Sequence, residues 1–230
     1  MIKNTFYVTI LCLIFSFVYA QEQKQKTEIT SDKVIVKNKG QVAYFKGNAK
    51  VNRENYNITS NEMFYYKNTE DIEAKGNVNF SVINEDGSII KARSSNAQYN
   101  TKKSNGKMWG DNPIVEYKIK NSTDTVYLYM DMLYLNDNFK SAKAVNNVRI
   151  ISSSGTIKAD NALLNKADNS LFMQKDKNKP QVNVLKDDKS AAEFKADEML
   201  LLYDKKTVKM NKNVEGKVTF ESLNNLEVKQ

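Results

Sequence analysis

Apolar and polar residues alternate with a period of two over most of the chain after residue 30. The alternation is clearest in NVNFSV at 77–82, VEYKIK at 115–120 and QVNVLK at 181–186. Successive side chains of a strand point to opposite faces, so each segment predicts a strand with one apolar and one polar face. Turn signals such as EDGS at 85–88 and SSG at 153–155 separate these segments and predict hairpins.

Two motifs recur along the chain in step with each other. One is a Gly-Asn-like pair, interpreted as a hairpin turn, which falls near Gly47, Gly76, Gly110, Asn146, Lys179 and Asn213. The other is a small-polar motif inside an apolar stretch, anchored at Ser60, Ser94, Met130, Ala159 and Ala196. Because both return after about 34 residues, we interpret the chain as about five β-repeats. By analogy with the other copies, KADEMLLLYDKK at 195–206 is predicted to be a strand.

A β-repeat of this size cannot bury its apolar face alone, so the units are expected to stack and share one apolar lining. A propeller fits less well, because about 34 residues is short for a four-stranded blade. The predicted fold class is therefore all-β.

The first twenty residues differ from the rest of the chain. Lys3 is followed by an apolar run from Phe6 to Val18, and the segment ends in Val18-Tyr19-Ala20. This is the form of a cleavable signal peptide, and the run is shorter than the ~20 residues needed to span a bilayer. Cys12 lies inside the run, which argues against lipidation at the cleavage point. We divide the chain into a signal peptide at 1–20, a flexible polar segment at 21–30, the repeat domain at 31–222 and a C-terminal tail at 223–230.

The chain offers little for chemistry. It has no histidine, its single cysteine lies in the predicted signal, and it has no glycine-rich phosphate loop. We therefore expect no enzyme, no metal and no cofactor. The net charge of +8 fits an anionic partner or a merely Lys-rich surface. No nucleic-acid partner is expected, because the tyrosines and phenylalanines follow the inward pattern of the strands.

Several copies of the repeat resemble the OstA-like family. The stretches that carry the resemblance are Ile72-Glu-Ala-Lys-Gly-Asn-Val78, Lys158-Ala-Asp-Asn-Ala162 and Lys195-Ala-Asp-Glu-Met199. The resemblance covers roughly residues 40–222, although the third unit departs from it at Met130-Asp131-Met132. The family includes the periplasmic lipopolysaccharide-transport protein LptA, the membrane-anchored LptC and the N-terminal domain of LptD. It implies a β-jellyroll, a V-shaped open stack of antiparallel strands.

The resemblance also implies a function. The chain would carry lipopolysaccharide, or a similar acylated glycolipid, from the inner to the outer membrane along an apolar groove. Implied partners are the lipid, further copies joined head to tail, and LptC-like and LptD-like proteins. The implied localisation is the periplasm, with membrane association left open. The alternative is a structural or adhesive cell-envelope protein with a closed core.

Inward positions of the predicted strands are the candidate groove lining. They are Val51, Ile58, Phe64, Val78, Phe80, Val82, Ile90, Tyr99, Val115, Tyr117, Ile119, Leu128, Leu133, Val148, Ile150, Ile157, Val182, Val184, Phe194 and Leu201. The lysines beside the turns are candidates for contacts with lipid phosphates.

Overall fold

A computed structural model describes residues 28–52, 56–83, 87–118, 120, 124–136, 140–165, 167–168, 170–187, 190–202 and 207–219. The signal peptide and tail predicted from the sequence lie outside these residues, as does Ile119. The described residues form eighteen antiparallel strands and one short 3₁₀ turn, Asn38–Gly40, with no α-helix among them. The prediction of an all-β fold is therefore confirmed.

The strands are, in chain order, β1 Glu28–Thr30, β2 Lys33–Lys37, β3 Val42–Asn52, β4 Tyr56–Tyr66, β5 Asp71–Ile83, β6 Ile89–Asn100, β7 Asn105–Trp109, β8 Ile114–Lys118, β9 Thr125–Tyr129, β10 Met132–Asn136, β11 Ser141–Ser152, β12 Gly155–Asn165, β13 Ser170–Gln174, β14 Gln181–Asp187, β15 Ser190–Lys195, β16 Glu198–Leu202, β17 Thr207–Asn211 and β18 Glu215–Thr219. β16 confirms the strand predicted in KADEMLLLYDKK. β1 lies inside the segment at 21–30 that was expected to be flexible. Its residues Glu28–Thr30 are ordered by pairing with Lys50–Asn52 of β3.

The sheet consists of two layers joined along one line. Six long strands, β3 to β6 with β11 and β12, each contribute one half to each layer. The first layer runs from β1 through the long strands, β8, β9, β14 and β15 to β18. The second layer runs from β2 through the long strands, β7, β10, β13 and β16 to β17. We call the line at which the chain passes between the layers the crease.

The Gly-Asn pairs lie on the crease, so their interpretation as hairpin turns is wrong. Gly76 and Asn77 are in the middle of β5, where the pairing with β6 jumps from Lys75 to Val78. Both residues have positive φ, 72° and 50°, a region that glycine and asparagine enter at little cost. Two residues facing one on the partner strand make a β-bulge, which bends the strand from one layer into the other.

The second motif forms the other half of each crossing. Its anchors Ser60, Ser94, Met130, Ala159 and Ala196 are all buried beside the crease. In β4 the Ser60 hydroxyl donates to the carbonyl of Glu62 at 2.9 Å, and in β6 Ser94 donates to Asn96 at the same distance. A buried hydroxyl at the bend is thereby satisfied within its own strand.

Side-chain hydrogen bonds join the two kinds of crossing in six successive pairs. An amide or hydroxyl of one crossing donates to a carboxylate or amide oxygen of the other. The pairs are Asn48 with Asp32, Asn77 with Asn61, Ser95 with Asp111, Asn147 with Asp131, Asn178 with Asp160 and Asn213 with Asp197. The crease is therefore a polar seam on the outside of an apolar interior. The segment around Asp32, which contributes to the first pair, was not recognised as a copy of the second motif in the sequence.

Apolar residues of both layers meet between them in two clusters. The larger runs from Val82 to Leu201, and the smaller contains Ala49, Val51, Met63, Ala74 and Val78 near the N-terminal end. The apolar inner face of the folded sheet, which these clusters form, is therefore the candidate site.

Candidate functional site

The inner face consists of the apolar residues that point between the layers. Cross-strand register defines its rows, because residues directly opposite each other in a sheet share a face. In the first layer one row connects Val51, Ile58 and Phe80 with Val115 and continues to Phe194. In the second layer the row furthest from the crease connects Tyr65, Ile72 and Tyr99 and continues to Leu201.

Most of the sequence-predicted lining residues lie on this inner face. Apart from Phe64 and the undescribed Ile119, every predicted residue is buried or half-buried between the layers. Whether any of them touches a lipid stays a prediction.

Phe64 points outward, so its assignment to the lining is wrong. Its ring stacks on Tyr44, with ring centroids 4.4 Å apart, and the Lys75 ammonium lies 5.1 Å from the Phe64 centroid. The Tyr44 hydroxyl donates to Glu62 at 2.8 Å, and this hydrogen bond raises the pKa of Tyr44. The inward neighbours of Phe64 are Met63 and Tyr65, which the sequence prediction missed.

The phase error has a physical cause at the crease. In β5 the bulge contains two residues, so inward positions stay even-numbered from Ile72 to Val82. In β4 only Asn61 is inserted at the crossing, so inward positions change from even at Ile58 to odd at Met63. Continuing the alternation across the crossing therefore selects the wrong residue.

Exposure of the inner face changes along the molecule. In the row furthest from the crease, Tyr65, Ile72 and Tyr99 are half-buried, whereas Leu164 and Leu171 further along are fully buried. In the first layer Val51 is buried, the next residues of the row, Ile58 and Phe80, are half-buried, and Val115 to Val182 are buried. The inner face is thus partly open to solvent at these half-buried residues of the N-terminal strands and closed by packing further along the sheet.

Both ends of the folded sheet leave inward apolar side chains uncovered. At the N-terminal end, Val34 and Val36 of β2 face the interior, and Val36 is 64% exposed. At the C-terminal end, Val218 of β18 lies opposite Ala192 and is 50% exposed. Edge strands with exposed apolar residues invite pairing with another chain.

The described residues offer no other site of obvious chemistry. They contain no group of three or more His, Cys, Asp or Glu side chains placed to hold a metal ion. Among them there is also no helix of the length and apolarity required to cross a membrane.

Comparison with known proteins gives one family match. Residues 28–132 match the model of a family described as LptA/(LptD N-terminal domain) LPS transport protein. The resemblance found in the sequence is thereby confirmed for this segment, which holds the open part of the inner face. No curated protein matches the chain.

A solved structure also matches, namely LptH from Pseudomonas aeruginosa, described as the LptA homologous periplasmic component of the lipopolysaccharide transport device. The match has 12% sequence identity and covers 62% of this chain and 78% of LptH, with a TM-score of 0.30.

Proposed function

We propose that the chain carries lipopolysaccharide between the two membranes of the cell envelope, because residues 28–132 match the family model of LptA and the LptD N-terminal domain. The acyl chains would lie against the inner face, and the protein would work in the periplasm. A single observation carries the proposal: in the family-matched segment the inward residues Ile58, Ile72 and Phe80 remain partly open to solvent. Acyl chains need such a continuous strip of apolar surface shielded from water on one side.

The closed part of the interior towards the C-terminal end supports a second candidate. Leu171, Met173 and Met199 are 0% exposed, as expected for a structural envelope protein whose interior is only its own core. On the transport proposal, lipid reaches this part only if the two layers move apart at the side opposite the crease. The two candidates therefore differ in whether lipid contacts the inner face at all.

Site-specific photo-crosslinking in cells tests the proposal. A photoreactive residue at Phe80, which points inward, should capture lipopolysaccharide. The matched control is Asn79, the adjacent residue of β5, which is exposed and donates to the carbonyl of Asn77 at 2.8 Å. Capture at Phe80 and not at Asn79 supports transport. Equal capture at both positions, or none at Phe80, would favour the structural candidate.

The uncovered ends support a proposal for assembly. Edge strands β1 and β2 at one end differ from β17 and β18 at the other, so a contact between two copies is head to tail and does not close on itself. We propose head-to-tail copies, or pairing of these edges with LptC-like and LptD-like proteins at the two membranes. Such pairing would cover Val36 and Val218 and extend the inner face across the joint.

A further inference from the structure

Three hairpin turns form a continuous edge above the open part of the inner face. They connect β2 to β3, β4 to β5 and β6 to β7, and all three lie on the side of the second layer away from the crease. Backbone hydrogen bonds join neighbouring turns. The Lys67 N–H donates to Gln41 at 2.9 Å, and the Thr101 N–H donates to Glu70 at 3.0 Å. We call this edge the lysine rim, after the exposed Lys39, Lys67, Lys102 and Lys103 in its turns.

The four lysines of the rim outnumber its two carboxylates, Glu70 and Asp71. Among the described residues, no carboxylate forms an ion pair with any of the four lysines. Both acids also accept hydrogen bonds from neutral groups, and the Asn100 and Thr69 hydrogen bonds together with the Lys103 charge lower the pKa of Asp71. The Asp71 carboxylate accepts from the Asn100 amide at 2.7 Å, and Glu70 accepts from the Thr101 hydroxyl at 3.3 Å. Four lysines against two carboxylates leave the rim a net charge of +2, which favours an external anion.

Accessible apolar surface lies directly below the rim. Tyr65 is two residues before Lys67, Ile72 is two residues after Glu70, and Tyr99 is two residues before Thr101. These three residues are opposite one another in register and half-buried. Further along the same row, Leu164, Leu171 and Leu201 are buried. Unpaired cations and open apolar surface are thus combined at the N-terminal half of the described sheet.

We infer that the lysine rim is a head-group site for a phosphorylated acyl lipid whose chains enter the interior over Ile72 and Tyr99. The inference rests on the proposed function and assigns its lipid-entry site to the N-terminal half of the molecule. Lysine binds phosphate as a point charge, and exposed lysines alone hold a free anion weakly. Neighbouring turns on one edge are two strands apart, about 10 Å, so a lipid with two phosphates reaches two turns.

Binding by the purified full chain tests the inference, with diphosphoryl lipid A and monophosphoryl lipid A as probes. The rim variant carries Lys67→Gln, Lys102→Gln and Lys103→Gln. The control carries Lys143→Gln, Lys158→Gln and Lys209→Gln, which remove the same charge from exposed positions on the outer faces of strands. The rim variant should bind diphosphoryl lipid A about tenfold more weakly, and the control within about twofold of the unmodified chain. The loss should be smaller for the monophosphoryl probe and should shrink at high salt.

The outcomes separate this inference from the proposed function. Equal weakening in both variants would mean that net charge alone attracts the lipid and would overturn the rim. Displacement of the lipid by millimolar inorganic phosphate would also overturn it, because the apolar contact would then contribute nothing. A photoreactive residue should capture lipid at Ile72 and not at Leu171. If Phe80 captures lipid but the rim variant binds diphosphoryl lipid A as tightly as the unmodified chain, only the head-group site is refuted. If the unmodified chain binds no lipid, both the head-group site and the proposed function are refuted.

Discussion

Replacing Asp160 with alanine should destabilise the protein by an amount that depends on pH. Asp160 lies on the crease between Ala159 and Asn161 of β12, and its carboxylate closes the loop that leads to β14. One oxygen accepts the backbone N–H groups of Lys177 and Asn178, each at 2.7 Å, and the other accepts the Asn178 side-chain amide at 2.9 Å. A buried hydrogen bond to a charged group contributes about 1.5–3 kcal/mol, but this carboxylate faces solvent, so about 0.5–1 kcal/mol each is appropriate.

Three such bonds predict a loss of about 2 kcal/mol in the free energy of unfolding at pH 7, or about 4–8 °C in Tm. The hydrogen bonds from Asn178, backbone first, lower the pKa of Asp160. A carboxyl with a lowered folded-state pKa contributes its full stability above the unfolded value of about 3.9 and loses it as the pH falls through the folded value. The difference between the unmodified chain and Asp160→Ala should therefore shrink below about pH 4.

Urea unfolding followed by circular dichroism, from pH 7 down to pH 3, measures this difference. Glu116→Ala is the matched control, because Glu116 is a carboxylate on the outer face of β8. It should change stability by less than about 0.5 kcal/mol. A deficit for Asp160→Ala that is as large at pH 3 as at pH 7, or no larger than that of the control, would refute the assignment of stability to the crease carboxylate.

Two further predictions concern the bend and the edge. Gly76→Ala should lower the free energy of unfolding, measured with heat or urea, by more than about 1 kcal/mol, since its φ is 72° and a Cβ would lie 2.6 Å from the side-chain amide nitrogen of Asn61. Gly40→Ala is the control, because Gly40 has a φ of 88° but nothing within 4 Å of a Cβ. An equal loss of stability in both variants would mean that crowding at the crease is irrelevant. Val218→Pro, on edge strand β18, should reduce concentration-dependent association in light scattering, because proline removes a donor and disfavours edge pairing; a strictly monomeric unmodified chain at high concentration would contradict head-to-tail assembly.

The strands and the inward rows were predictable because period-two alternation survives in nearly every element. The crease was not, since a Gly-Asn pair with two positive φ angles has the same local signal as a two-residue hairpin turn. The distinction depends on the partner of the Asn side chain. In a hairpin, the residues before and after the Gly-Asn pair are paired with each other. In β5 they are both paired with β6, and the Asn77 side chain donates to Asn61, sixteen residues earlier.

The lysine rim illustrates a second limit of sequence reading. Lys39, Lys67 and Lys102 are far apart in the chain and look like ordinary turn residues. Only the register of the second layer places their turns on the same edge, and only the burial pattern distinguishes the open end of the inner face from the closed one. Composition alone gave no way to choose these lysines from the rest.

The crease also determines how far the molecule reaches. Each hydrogen-bonded pair on it adds two strands to each layer, so the length grows by about 10 Å per pair while the cross-section stays constant. With twelve strand segments in each layer, the described residues span about 55 Å. Because a unit contacts only its neighbours, loss or gain of one pair changes the length without rebuilding the rest. The number of hydrogen-bonded pairs on the crease therefore sets the length of the sheet.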